Sequence, residues 1–193
     1  MNRDAASTDD TEEQPTGPVA RVRRGPIVAV LVGVFLVGYA LDQLTKALAV
    51  EHLDPANPPT FLGGWLSLKL IRNPGAAFSM GSGFTEVLSV LAIVALLFCA
   101  IYLAPRVTRV SHAAVLGMGM AGIAGNLTDR LLRAPGPLRG HVIDFFAVPH
   151  FAIFNVADIF LTSAAILVVL WTLVESRREA AREKAATEAA GDS

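Results

Sequence analysis

At 193 residues the chain is long enough for one ordinary domain, but 53% of it is hydrophobic and its mean hydropathy is +0.51, too apolar for a water-soluble fold. A formal net charge of -1 with no basic stripe argues against nucleic acid as a partner. The single cysteine, Cys99, lies inside an apolar run, reads as a small buried hydrophobe, and excludes a disulfide framework within one chain. The composition is that of a membrane protein.

Residues 1–25 are rich in Asp, Glu, Thr, Ala and Pro and show no apolar periodicity, so they are expected to form a disordered extension. Arg21, Arg23 and Arg24 then precede an apolar run over 27–41. That pattern, with Ala47-Leu48-Ala49 downstream, also fits a cleavable signal peptide. Cleavage there would discard Asp42 and Lys46, and a retained helix over about 26–50 is the better reading. Three further apolar stretches, about 86–104, 113–132 and 151–174, each approach the ~20 residues that cross a ~30 Å hydrocarbon core.

Arginine clusters before the first helix, between the second and third (Arg106, Arg109) and after the fourth (Arg177, Arg178, Arg182) set the orientation. Four helices with both termini cytoplasmic put all three clusters inside. The predicted layout is a membrane domain over 26–174 and a polar, Ala-rich, helix-forming tail over 175–193. In the outer segment 51–85, Leu66, Leu68 and Leu70 alternate with Ser67 and Lys69, which is strand periodicity, before the turn at Asn73-Pro74-Gly75. A small sheet on the outer membrane face is expected.

This orientation gathers the intrahelical polar residues at one depth. Spacings of three and four put Asp42 on one face with Lys46, Asn126 with Asp129 and Arg130, and Asn155 with Asp158. Bland roles exist for most of them. Lys46 and Arg130 are long enough to snorkel to the interface, Asn126 and Asn155 suit interhelical hydrogen bonding, and Asp42 and Asp129 have cations four residues on, Lys46 and Arg133. Asp144 and Asp158 have no Lys or Arg within four residues; His141, three before Asp144, reads as interfacial. Two carboxylates brought together at low dielectric do not both ionise easily, and the result is an acid/base pair able to activate water. His and Cys show no ligand spacing, so no metal or other cofactor is expected. A proton-coupled transporter using Asp42, Asp144 and Asp158 as a relay is the alternative reading, but it calls for polar groups through the full depth of the bundle. A non-catalytic assembly protein would not need Asp144.

Five motifs in order, DQLTK at 42–46, NPGAAFS at 73–79, AGNLTDR at 124–130, HVIDF at 141–145 and FNVAD at 154–158, resemble those of the bacterial lipoprotein signal peptidases, signal peptidase II, over about residues 27–174. The resemblance implies a four-helix membrane aspartyl endopeptidase with an outer β-cradle, embedded in the inner membrane. Its substrates would be diacylglyceryl-modified prolipoproteins, cut just before the lipidated cysteine. It implies Asp144 and Asp158 as the catalytic pair. Asn73, Gly122, Asn126, Arg130, Asn155 and Ala157 would line the site or bind substrate, with Asp42, Lys46 and Asp129 mostly supporting. A monomer surrounded by membrane lipid is expected. Two departures stand out: a short stretch at 146–151 between the aspartates, and an insertion, Arg133-Ala134-Pro135-Gly136-Pro137, before them.

Overall fold

The structure is a computed structural model that describes residues 24–75 and 84–191. The expected N-terminal extension, apart from Arg24 and Gly25, and positions 76–79 of the NPGAAFS motif lie outside the described residues. Among the described residues, four helices are long and apolar enough to cross a membrane. They are α1 (Arg24–His52), α2 (Phe84–Leu97, continued by a wide turn over Phe98–Leu103), α3 (Val110–Leu132) and α4 (Val156–Gly191). Between them lies one antiparallel sheet of three strands in the order β1 (Thr60–Phe61), β2 (Leu66–Asn73), β3 (Val142–Ala147).

The sheet contains the alternating segment read from the sequence, but its third strand comes from the connection between α3 and α4. Ile71 pairs with Asp144 and Asn73 with Val142, with an irregularity between Leu68 and Ile71. Ile143 and Phe145 on β3 pack on Ala49 near the end of α1, which seats the sheet on the bundle.

The fourth helix starts at Val156, five residues later than the apolar run suggests. After β3 the chain doubles back: Phe146 N donates to the Phe154 carbonyl at 2.9 Å, and Phe154 N returns the bond to Phe146 at 3.0 Å. Phe145, Phe146, Phe151 and Phe154 form a chain of ring contacts across this hairpin. The aromatic residues that look like the beginning of a membrane helix are therefore consumed in closing a turn. At its other end α4 continues unbroken through the polar tail. Its 36 residues span roughly 54 Å at ~1.5 Å per residue, well beyond a hydrocarbon core.

Helix α3 is central, and small residues let its neighbours approach. A Cβ at Gly117 would meet the backbone of Leu31 on α1, and one at Gly122 would meet the Ala157 carbonyl of α4. At Gly125 it would collide with the Asp42 carboxylate. Gly125→Ala should therefore cost about 1–3 kcal/mol by overpacking. Gly33→Ala on the open face of α1, where nothing lies within 4 Å, should be neutral or slightly stabilising. Thermal unfolding of the two variants in detergent checks this, and equal melting temperatures would contradict the packing.

Candidate active site

Both aspartates without a local counter-charge lie at the sheet end of the bundle. Asp158 sits in the first turn of α4, where an Asn–Asp capping box fixes it. Asn155 Oδ1 accepts from Asp158 N at 3.0 Å, and Asp158 Oδ2 accepts from Asn155 N at 3.1 Å. Asp144, 2% exposed, projects from β3. Its Oδ2 accepts from Asn73 Nδ2 at 2.9 Å, a diagonal cross-strand pair, and its Oδ1 from Asn155 Nδ2 at 2.6 Å. Asn155 thus holds both carboxylates, one through its side chain and the other through its backbone. Asn126 on α3 completes the frame, donating to Asp158 Oδ1 at 2.7 Å while its own Oδ1 accepts from Asn155 Nδ2 at 3.0 Å.

Behind this layer Lys46 is fully buried. Its ammonium lies 2.9 Å from each of three acceptors: Asp42 Oδ2, Asp129 Oδ2 and Asn126 Oδ1. Asp42 Oδ1 in turn accepts from Ala157 N in the first turn of α4 at 2.8 Å, and Asp129 Oδ2 from Ile143 N on β3 at 3.2 Å. Arg133 supplies a second cation to Asp129.

The two pairings expected from four-residue spacing, Asp42–Lys46 and Asp129–Arg133, both form. Lys46 points inward instead of snorkelling, because Asn126 and Asp129 on α3 offer it acceptors that no local pattern reveals. The guanidinium of Arg130 is electrostatically coupled to Asp144, Asp129 and Asp158, and its Nη1 is buried without a hydrogen-bond partner among the described residues. Gly122 and Ala157 form the close α3–α4 contact beside the aspartates. Sequence reasoning overlooked Gln43, whose Nε2 donates to Asp42 Oδ2 at 3.0 Å and to the Gly125 carbonyl at 3.1 Å. It also overlooked Gly125, whose only signal is a glycine inside a helical pattern. Among the described residues no group of three or more His, Cys, Asp or Glu is placed to hold a metal ion.

Burial pushes the Asp144 carboxyl up to about 6, and the neighbouring Asp158 charge adds to the rise against the lowering hydrogen bonds from Asn73 and Asn155. The ordinary value is near 3.9. Between about pH 4 and 6 the folded chain therefore holds a proton that the unfolded chain has lost, so Asp144 makes stability fall as pH rises through that window. The loss is on the order of 2–3 kcal/mol and levels off above pH ~6. Melting temperatures between pH 4 and 7.5 should decline in wild type, and Asp144→Asn should flatten the decline. An unchanged slope in the variant would rule out this environment for Asp144.

Lys46→Met leaves Asp42 and Asp129 buried without their shared cation, a change that costs about 3–5 kcal/mol. It should abolish a cooperative thermal transition or lower it sharply. Adding Asp42→Asn to Lys46→Met should restore part of that loss, which a double-mutant cycle measures.

Residues 34–174 match the family model of signal peptidase (SPase) II. The chain is 43% identical over 164 residues to a lipoprotein signal peptidase of Mycobacterium avium, covering 83% of this chain and 88% of that protein. It is 40% identical over 171 residues to the lipoprotein signal peptidase of Rhodococcus jostii, covering 89% and 84%. Among solved structures it resembles a bacterial membrane enzyme determined by the in meso method at 1.9 Å resolution. That likeness has a TM-score of 0.63 and 25% identity, over 77% of this chain and 93% of the other.

Proposed function

The chain belongs to the signal peptidase II family of aspartic peptidases, and on that premise we propose that Asp144 and Asp158 are its catalytic pair. It is a multi-pass membrane protein of a family that removes signal peptides from prolipoproteins. The proposed substrate is the diacylglyceryl-modified precursor, and the proposed cut lies just before the lipid-bearing cysteine. The observation that carries the reading is Asn155, which hydrogen-bonds Asp144 with its amide and Asp158 with its backbone N–H.

In this reading a water lies between the carboxylates. The ionised one takes a proton from it as the water oxygen bonds to the scissile carbonyl carbon, and the protonated one donates to the carbonyl oxygen. Collapse of the tetrahedral species breaks the C–N bond, and the leaving amine takes up a proton. The partition of the proton belongs to the pair. Asn73, Asn126 and Asn155 hold the carboxylates with neutral donors, while Arg130, with its unsatisfied Nη1, orients substrate carbonyls. Asp42, Lys46 and Asp129 fix the elements from behind, and Gly122 and Ala157 keep α3 and α4 close enough for the frame to form.

The Arg clusters support cytoplasmic termini in a bacterial inner membrane, with the sheet and the site at the outer leaflet. The same reading assigns 1–25 and 175–193 to tails outside a peptidase domain over 26–174, and makes the enzyme a monomer in lipid.

Purified protein, incubated with a diacylglyceryl-modified prolipoprotein and followed by gel shift, should cleave it and leave the unlipidated precursor intact. Asp144→Asn and Asp158→Asn should each lose activity by about 10²–10⁴-fold or more. Retention of activity in both variants would overturn the assignment of the pair.

A further inference from the structure

At the end of the bundle away from the aspartates, α3, α4 and the end of α2 enclose a groove of about 680 Å³. Its walls are apolar, including Leu103, Leu116, Val168 and Trp171, and it ends at Glu175 and Glu179. Glu175 Oε2 is buried and has no hydrogen-bond partner among the described residues. A buried acceptor left unpaired calls for a donor. The cation that lines the same groove is committed elsewhere: Arg106 Nη1 donates to the Tyr102 carbonyl at 2.7 Å, and the guanidinium lies 3.7 Å from the Tyr102 ring centroid. His112, electrostatically coupled to Glu175, is packed against Trp171.

We propose that this groove binds the basic segment at the N-terminus of the substrate's signal peptide, with Glu175 receiving a Lys or Arg side chain. The proposal rests on the function given above. Signal peptides carry a positively charged head, an apolar region of about 7–15 residues and a short stretch of small residues before the cut. As a helix, the apolar region spans up to ~23 Å at ~1.5 Å per residue. Asp158 and Glu175 lie on one continuous helix, and the 17-residue step between them is ~26 Å. A signal helix running antiparallel to α4, with its cut end at Asp158, brings its basic head to Glu175 and Glu179. The site measures the signal peptide by its charge as well as by the lipid at its other end.

The test compares three lipidated prolipoproteins, one with its basic head, one with those residues replaced by Gln and one with them replaced by Glu, each cut by wild type, Glu175→Gln and Glu175→Lys in liposomes. Wild type should prefer the basic substrate by about 5–10-fold in kcat/KM. Glu175→Gln should lose that preference while cutting the neutral substrate at the wild-type rate, which also reports that it is folded. Glu175→Lys should favour the substrate with the Glu-bearing head. A wild-type ratio near one between the basic and neutral substrates overturns the proposal, as does an equal loss on both of them in Glu175→Gln. If the Glu175 effect follows the phosphatidylethanolamine content of the liposomes and not the substrate's charge, the groove holds a lipid amine and the proposal fails. Absence of any cleavage by wild type is a different result, and overturns the activity itself.

Discussion

The Lys46 ammonium is the constraint on which the rest depends. It has three N–H bonds and three acceptors at 2.9 Å, and the acceptors lead on to two further elements, β3 and α4. Asp42 leads to the first-turn amide of α4 at Ala157, Asp129 to the β3 amide of Ile143, and Asn126 to Asp158. An ammonium removed from water is costly unless its partners are complete, and the attraction is correspondingly strong when they are. One cation on α1 thereby sets the register of a strand and the position of a helix start, the two elements that carry Asp144 and Asp158.

The connections around this centre are tied down in the same manner. The short stretch between the aspartates is a closed hairpin, so it cannot serve as a long cover. The connection before β3 is fastened to the start of α2. Ser89 Oγ donates to the Leu138 carbonyl at 2.7 Å, and Arg139 pairs with Glu86. Thr85 Oγ1, one turn before Ser89, donates to the Pro74 carbonyl, next to the Asn73 that holds Asp144. The connection before β3 and the turn after β2 are thus both tied to the first turns of α2.

How much of this was legible in the sequence follows from the range of each interaction. Helix number and the gathering of polar residues at one end come from runs of about twenty residues and from three- and four-residue spacing, both local signals. Asp42–Lys46 and Asp129–Arg133 are of that kind. The Lys46–Asp129 contact joins α1 to α3 across 83 residues of chain, and nothing near either residue announces it. Strand β3 was hidden for another reason. Its residues Val142 to Phe145 are all buried, so the segment does not alternate, and an apolar run of that length reads equally as strand or helix. The late start of α4 has the same origin, since Phe151 and Phe154 are as apolar in a hairpin as in a membrane helix.

The choice of asparagine around the two carboxylates has a consequence for their chemistry. Asn73, Asn126 and Asn155 come from β2, α3 and the cap of α4, and together they fix both aspartates. A lysine or arginine in hydrogen-bonding contact would hold them equally well, but it would favour ionisation of both and so remove the acid that the proposed mechanism needs. An amide donates without adding charge. Burial and the facing carboxylate can then keep Asp144 up near 6 while its geometry stays fixed. Lys46 is placed one layer back, where Asp42 and Asp129 take two of its N–H bonds, so it organises the elements without a hydrogen bond to either carboxylate of the pair.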